Sequence, residues 1–91
     1  MEKEYIDEEK FSNLIKDLKE DEARTVFVED EDEVLQFEFR MIYFGEIPVV
    51  LYKTPHDEVG MFTDTIYGSY VDHAYEVYDD ISKEGECKVF I

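Results

Sequence analysis

Ser12, Ser69, Ser82 and Cys87 are the only serine and cysteine nucleophiles in the chain, and His56 and His73 are its only imidazoles. Covalent catalysis needs such a nucleophile beside a base that is itself held by a third group. Ser12 and Ser69 fall on predicted helical segments and Ser82 near a helix end. None stands in the strand-to-helix elbow of a G-x-S-x-G motif. Cys87 lies on a predicted strand, where a small core residue is expected. The two histidines are far apart in sequence and have no metal-binding spacing. His73 sits at the flank of an apolar helical arc, as a solvated or capping residue does.

The remaining reactive groups are 25 carboxylates. With so many, some pair reaches the separation of a glycosidase dyad by chance, and that signal carries nothing. Glu29, Asp30, Glu31, Asp32 and Glu33 form an unbroken acidic run. With Asp30 as position one, a calcium loop would need glycine at Leu35 and glutamate at Met41, so the motif fails at both. Gly45, Gly60, Gly68 and Gly85 are scattered, and no phosphate-cradling loop exists. One cysteine permits neither an intramolecular disulfide nor a multi-cysteine zinc site. No catalytic, cofactor or metal site is expected.

Against those carboxylates stand 9 Lys and Arg, for a formal net charge of −16. Phosphate contacts need clustered cations, so direct binding to nucleic acid or an anionic membrane is disfavoured. Hydrophobic residues still make up 44% of the chain and aromatics 15%, too many for a disordered acidic tail. No apolar run approaches the roughly 18 residues of a membrane span. The charged start, Met1-Glu2-Lys3-Glu4-Tyr5, is unlike a secretory signal, and a reducing cytoplasm is the default location.

The elements follow from periodicity. Phe11, Leu14, Ile15 and Leu18 recur at helical spacing, with Asp7 as N-cap and Ile6 and Phe11 as a hydrophobic staple. The pattern predicts a helix from Glu8 to Glu20. Thr25–Val28 reads as a strand, and Val34–Phe44 as a longer one with Leu35, Phe37, Phe39, Met41 and Tyr43 on one apolar face. Gly45-Glu46 suits a type II′ hairpin turn, after which Ile47–Tyr52 returns. Setting Phe44 opposite Ile47 brings Glu38 opposite Lys53 and Phe39 opposite Tyr52, two favourable cross-strand pairs.

Thr54-Pro55 predicts a short helical turn, and the stretch from Gly60 to Gly68 reads as loop or broken helix. Ser69 and Asp72 have capping-box spacing ahead of a helix carrying Tyr70, Val71, Ala74, Val77, Tyr78 and Ile81, with Gly85 as its C′ stop. Cys87, Val89 and Ile91 alternate as a last strand. The expected fold is one small α+β domain over residues 1–91: helix, three-stranded antiparallel sheet, helix, short C-terminal strand.

Several acids sit where they cost stability. Asp17, Glu20, Asp21 and Glu22 crowd the end of the first helix, and Asp79, Asp80 and Glu84 the end of the last. Each meets a negative macrodipole at about 0.3–1 kcal/mol. On the last helix Asp72, Glu76 and Asp79 share the outward face, with Tyr75 at its border and Tyr67 expected close by, as binding anchors would be. Four residues advance about 6 Å along a helix, and DNA offers a phosphate roughly every 3.4 Å per strand. Such a row can occupy some cation sites of a nucleic-acid-binding protein.

In size, acidity and lack of catalytic residues the chain resembles small phage-encoded inhibitors of host defence. Among these are DNA mimics that block restriction enzymes, uracil-DNA glycosylase or CRISPR nucleases. The resemblance lies in overall character and implies a non-enzymatic inhibitor. Its expected partner is a basic protein, a nucleic-acid-binding enzyme, met by Glu29–Glu33 and by Asp72, Tyr75, Glu76, Asp79 and Asp80. Two alternatives share the sequence. One is an immunity or antitoxin-like protein that neutralises a basic toxin nuclease. The other is an assembly module that forms a homodimer through Val34, Ile42, Phe44, Val49 and Leu51, an apolar patch on the second sheet face.

Overall fold

Asp7 ends an extended N-terminal segment by accepting the Lys10 backbone N–H at 2.8 Å, and helix α1 follows over Glu8–Lys16. Ile6 and Phe11, the expected staple, are both buried. The computed structural model describes residues 2–91. Helix α1 stops short of the expected Glu20. Asp17 is its C-cap, and the chain then pairs with the long strand: Glu20 bridges Met41, and the Asp21 N–H donates to the Met41 carbonyl at 2.9 Å. Asp21 takes the left-handed φ of 64° that this exit needs.

The sheet has strands β1 (Ala23–Glu29), β2 (Val34–Phe44), β3 (Ile47–Lys53), β4 (Val59–Thr63) and β5 (Lys88–Phe90), all antiparallel, in the order β4-β3-β2-β1-β5. Phe44 opposes Ile47, Phe39 opposes Tyr52 and Glu38 opposes Lys53, as the cross-strand pairs predict. Gly45 adopts φ 63°, suited to the first central position of a II′ turn.

The three-stranded expectation is too small at both edges. After β3, Thr54-Pro55 opens a hairpin turn and not a helix. The Asp57 N–H donates to the Thr54 carbonyl at 3.1 Å, and Asp57 turns left-handed at φ 63° to re-enter β4. The glycine that suggested a loop, Gly60, lies inside β4 opposite Tyr52. A Cβ there would sit 2.3 Å from the Tyr52 ring, so the missing side chain is what lets the ring lie down.

At the other edge β5 joins β1, with Phe27 opposite Phe90 and Glu29 opposite Lys88. The N-terminal segment covers the outer side of β5. Ile6 N–H donates to the Val89 carbonyl at 2.9 Å, and Ile91 N–H to the Glu4 carbonyl at 2.9 Å. Helix α2 covers Tyr70–Ile81. It ends on Ser82 before the expected Gly85, because Lys83, Glu84 and Gly85 all take positive φ to reverse the chain into β5.

Both helices lie on one sheet face. Phe11 and Ile15 of α1 and Ala74, Val77 and Ile81 of α2 join Val26, Val28, Phe37, Phe39, Met41, Val50, Phe62 and Val89 in one core. Phe39 stacks on Tyr52 and meets Phe11 edge-on, each at a centroid distance of 5.3 Å. Buried Ser12 donates to the Val71 carbonyl at 2.9 Å and the Tyr78 hydroxyl to the Ile6 carbonyl at 2.8 Å, which ties α1 and the N-terminal segment to α2.

The second sheet face has no helix over it. Ile42, Phe44, Val49 and Leu51 come together there on β2 and β3, joined by Ile47, Val59 and Met61. Val49 is buried, whereas Phe44 is 64% exposed. Val34 lies at the other end of β2, beside the β1–β2 turn, and stands apart from this group. No helix among the described residues is long and apolar enough to cross a membrane.

Candidate acidic binding surface

Helix α2 begins with a closed capping box. Ser69 Oγ accepts the Asp72 N–H at 3.3 Å, and Asp72 Oδ2 accepts the Ser69 N–H at 3.0 Å. Asp72 therefore sits at the favourable positive end of the macrodipole, with one oxygen committed to the cap. Ala74, Val77 and Ile81 point inward, which leaves Asp72, Tyr75, Glu76, Asp79 and Asp80 at the solvent surface. The last turn carries no basic residue to offset Asp79 and Asp80. Glu84, swung back by its left-handed backbone at φ 58°, adds a further carboxylate. Glu76, Asp79, Asp80 and Glu84 line an open concavity of about 450 Å³ with no cation in its wall.

The acidic run between β1 and β2 is built differently. The Asp30 N–H donates to the Glu33 carbonyl at 2.9 Å and closes the turn. Glu29 binds the Lys3 ammonium and accepts from the Tyr5 hydroxyl at 3.0 Å. Lys3 first, then Tyr5, holds the Glu29 carboxyl below the usual carboxylate range, and the same carboxylate pushes the Tyr5 hydroxyl up. Asp30 is lowered by the Glu31 N–H at 2.8 Å and next by Lys83 Nζ at 3.1 Å. Glu29 and Asp30 are thus tied into the fold. Glu31, Asp32 and Glu33 are exposed and make no ion pair among the described residues. With Glu86 and Lys88 the run lines a second open concavity of about 530 Å³.

The Lys83–Asp30 pair joins this turn to the residues just after α2, so the turn and the C-terminal end of α2, with Asp79 and Asp80, lie at one pole, whereas Asp72 and Tyr75 belong to the first half of the helix and are not brought there. Glu84 and Glu86 join Asp79 and Asp80 at that pole. Glu84 was legible only as an acid at a helix end, and Glu86 carried no signal. Tyr75 is 36% exposed on the outer side of α2. Between Lys53 and Lys83 no Lys or Arg occurs, while Asp57, Glu58, Asp64, Asp72, Glu76, Asp79 and Asp80 do. The flank formed by α2 and the segment before it therefore carries acids and no Lys or Arg, with His73 Nδ1 3.7 Å from Glu76, whereas the turn is acidic with interspersed lysines.

A feature missed in the sequence lies just before α2. Thr65 and Gly68 exchange backbone hydrogen bonds of 2.8 and 3.2 Å around the tip Ile66-Tyr67. His73 reaches back from α2 to bond Thr65 Oγ1 through Nε2 at 2.8 Å, a positioning role in place of a solvated or capping one. The signal for this turn is the pair Thr65 and Gly68 bracketing two apolar residues, which the expectation of loop or broken helix over the whole stretch does not resolve.

Cys87 is buried and unpaired, as a core residue. No group of three or more His, Cys, Asp and Glu among the described residues is arranged to hold a metal ion. The chain is a small α+β domain with an acidic flank. It matches no protein-family model, no curated protein and no solved structure.

Proposed function

We propose that this protein is a non-enzymatic inhibitor whose acidic flank occupies the basic nucleic-acid groove of a target protein, in the manner of anti-restriction or anti-CRISPR DNA mimics. One observation carries the reading: Glu76, Asp79, Asp80 and Glu84 share a concave surface with no Lys or Arg in its wall, and Asp79 and Asp80 stand in the last turn of α2, against its dipole. Acids kept at a cost, and clear of internal lysines, are available to a cationic partner. Glu31, Asp32 and Glu33 extend the same field past the helix. Such a field raises association rates by roughly 10–1,000-fold at low salt. The net charge of −16 disfavours direct nucleic-acid binding, and the proposed contact calls for no cofactor.

The test is capture of partners by the tagged protein from nuclease-treated host lysate, at low and high salt and with duplex DNA as competitor. The expected result is one nucleic-acid enzyme, released by salt and by DNA, and lost with Glu76→Gln/Asp79→Asn/Asp80→Asn. Retention of that enzyme by the triple variant at wild-type strength would overturn the surface. An immunity-like role against a basic toxin nuclease uses the same contacts, and the identity of the captured enzyme separates it.

A second reading has its own observation. Phe44, Ile47, Val59 and Met61 are 64%, 55%, 70% and 59% exposed on the uncovered sheet face, which favours an assembly surface. Under that reading sedimentation finds a homodimer at micromolar concentration that Phe44→Ser/Met61→Ser dissociates.

A further inference from the structure

We infer that the Ile66–Tyr67 turn is an apolar anchor that enters a hydrophobic pocket rimmed by Lys or Arg on the same cationic partner. The inference rests on the acidic-inhibitor reading and adds to it the place where affinity resides. Ile66 is 92% and Tyr67 88% exposed, more than any other large apolar side chain among the described residues. A loose loop exposes such residues without purpose, but this turn is fixed. Its two backbone bonds are reinforced by the Tyr67 N–H donating to Thr65 Oγ1 at 3.1 Å, by the Thr65–His73 bond, and by Asp64 Oδ1 accepting the Tyr70 N–H at 2.8 Å. The tip is bolted to the first turns of α2, so presenting two side chains costs little ordering on binding. Tyrosine in a fixed setting is a common hot-spot residue.

Charge selects the occupant. The turn lies in the lysine- and arginine-free stretch, between Asp64 and Asp72 and ahead of Glu76. A second copy would bring those acids against its own, and an anionic lipid surface would be repelled. A pocket with a basic rim satisfies both the apolar tip and its acidic flanks, and a guanidinium or ammonium there can also face the Tyr67 ring. The division of labour is then that the α2 acids steer and the turn holds. Apolar anchors act mainly on dissociation and charged rims on association.

The experiment uses the full chain and the enzyme captured above. Ile66→Ser/Tyr67→Ser is expected to weaken binding about 30-fold or more, mostly through faster dissociation, with the salt dependence of log Kd unchanged. Glu76→Gln/Asp79→Asn/Asp80→Asn instead flattens that salt dependence. In parallel, p-benzoylphenylalanine at position 67 is expected to cross-link to an apolar segment of the enzyme flanked by Lys or Arg. If the turn variant binds within about 2-fold of wild type while the acidic variant loses binding, the anchor is overturned and the inhibitor reading stands. If the cross-link joins two copies of this chain, or the turn variant alone loses binding to phosphatidylcholine vesicles, the anchor serves another occupant and the inference falls. If no salt-reversible enzyme is captured and no cross-link forms, both readings fall together.

Discussion

Replacing Gly60 by alanine should destabilise the protein through a single identified contact. The added Cβ would lie 2.3 Å from Tyr52 Cζ and 2.6 Å from both Cε1 and Oη, inside any tolerable separation. Gly60 itself has no left-handed backbone to strain, so the cost is steric. The ring must tilt, and it is stacked on Phe39 and sits 6.0 Å from Phe62, so tilting loosens the core it lies on. Overpacking of this kind costs about 1–3 kcal/mol. Alanine also narrows the unfolded ensemble, which returns about 0.4–1 kcal/mol. The net loss is about 1–2 kcal/mol, or a fall in Tm of about 4–16 °C for a domain this small. In a Tyr52→Leu background the obstructing ring atoms are gone, and the same substitution should be neutral or mildly stabilising. Urea and thermal unfolding of the four proteins closes a double-mutant cycle with an expected coupling of about 1–3 kcal/mol. Equal effects of Gly60→Ala in both backgrounds would refute the argument that the glycine exists to seat the ring.

Two further outcomes follow from the interior and from the acidic turn. Phe39→Ala removes a side chain with no exposed surface and should cost about 3–5 kcal/mol, out of a total of about 5–14 kcal/mol for a chain of this length, readable in the urea midpoint. Asp30→Asn keeps an acceptor for the Glu31 N–H but removes the charge that holds Lys83. The folded carboxyl titrates below its unfolded value, so its contribution is full above the ordinary carboxylate range and is lost as pH falls through the lower folded value. The variant should be less stable than the parent at pH 7 and indistinguishable from it well below about pH 4, as urea midpoints across that range will report.

The β2–β3 hairpin was legible residue by residue, because its register had to satisfy both an aromatic pair and a charge pair. The capping box of α2 and the Ile6–Phe11 staple were legible for a different reason: each joins residues only a few positions apart. Strand β4 was not, since Gly60 reads as a breaker until the ring above it is known, and that ring belongs to another strand. Helix α1 was overextended because Leu18 completes its periodicity while the chain has already turned toward Met41. Among the acids, the sequence revealed where charge is dense and, at Asp79 and Asp80, where it opposes a helix end; Glu20, Asp21 and Glu22 oppose none, because α1 stops at Lys16 and the chain has left the helix before them. The sequence did not reveal that Glu29 and Asp30 are held by Lys3 and Lys83, partners 26 and 53 positions away. The Thr65–Gly68 turn was hidden by its length, since two residues between hydrogen-bonded ends leave no periodicity.

The pairing of β5 between β1 and the N-terminal segment orders how the molecule opens. Strands β1 to β4 are joined by short turns and close through local contacts, which form early and reopen together. The Tyr5–Phe90 and Phe27–Phe90 pairings bridge most of the chain, and the entropy of closing so long a loop predicts that they close after the meander. Amide hydrogens of β2 and β3 should therefore exchange through global unfolding alone. Those of Ile6 and Ile91 should exchange through a smaller opening in which this three-way seam parts while the hairpins remain. Because Lys3 and Tyr5 hold Glu29 from that same seam, its parting would free a carboxylate at the acidic pole, so the charge exposed there is coupled to the breathing of the sheet edge.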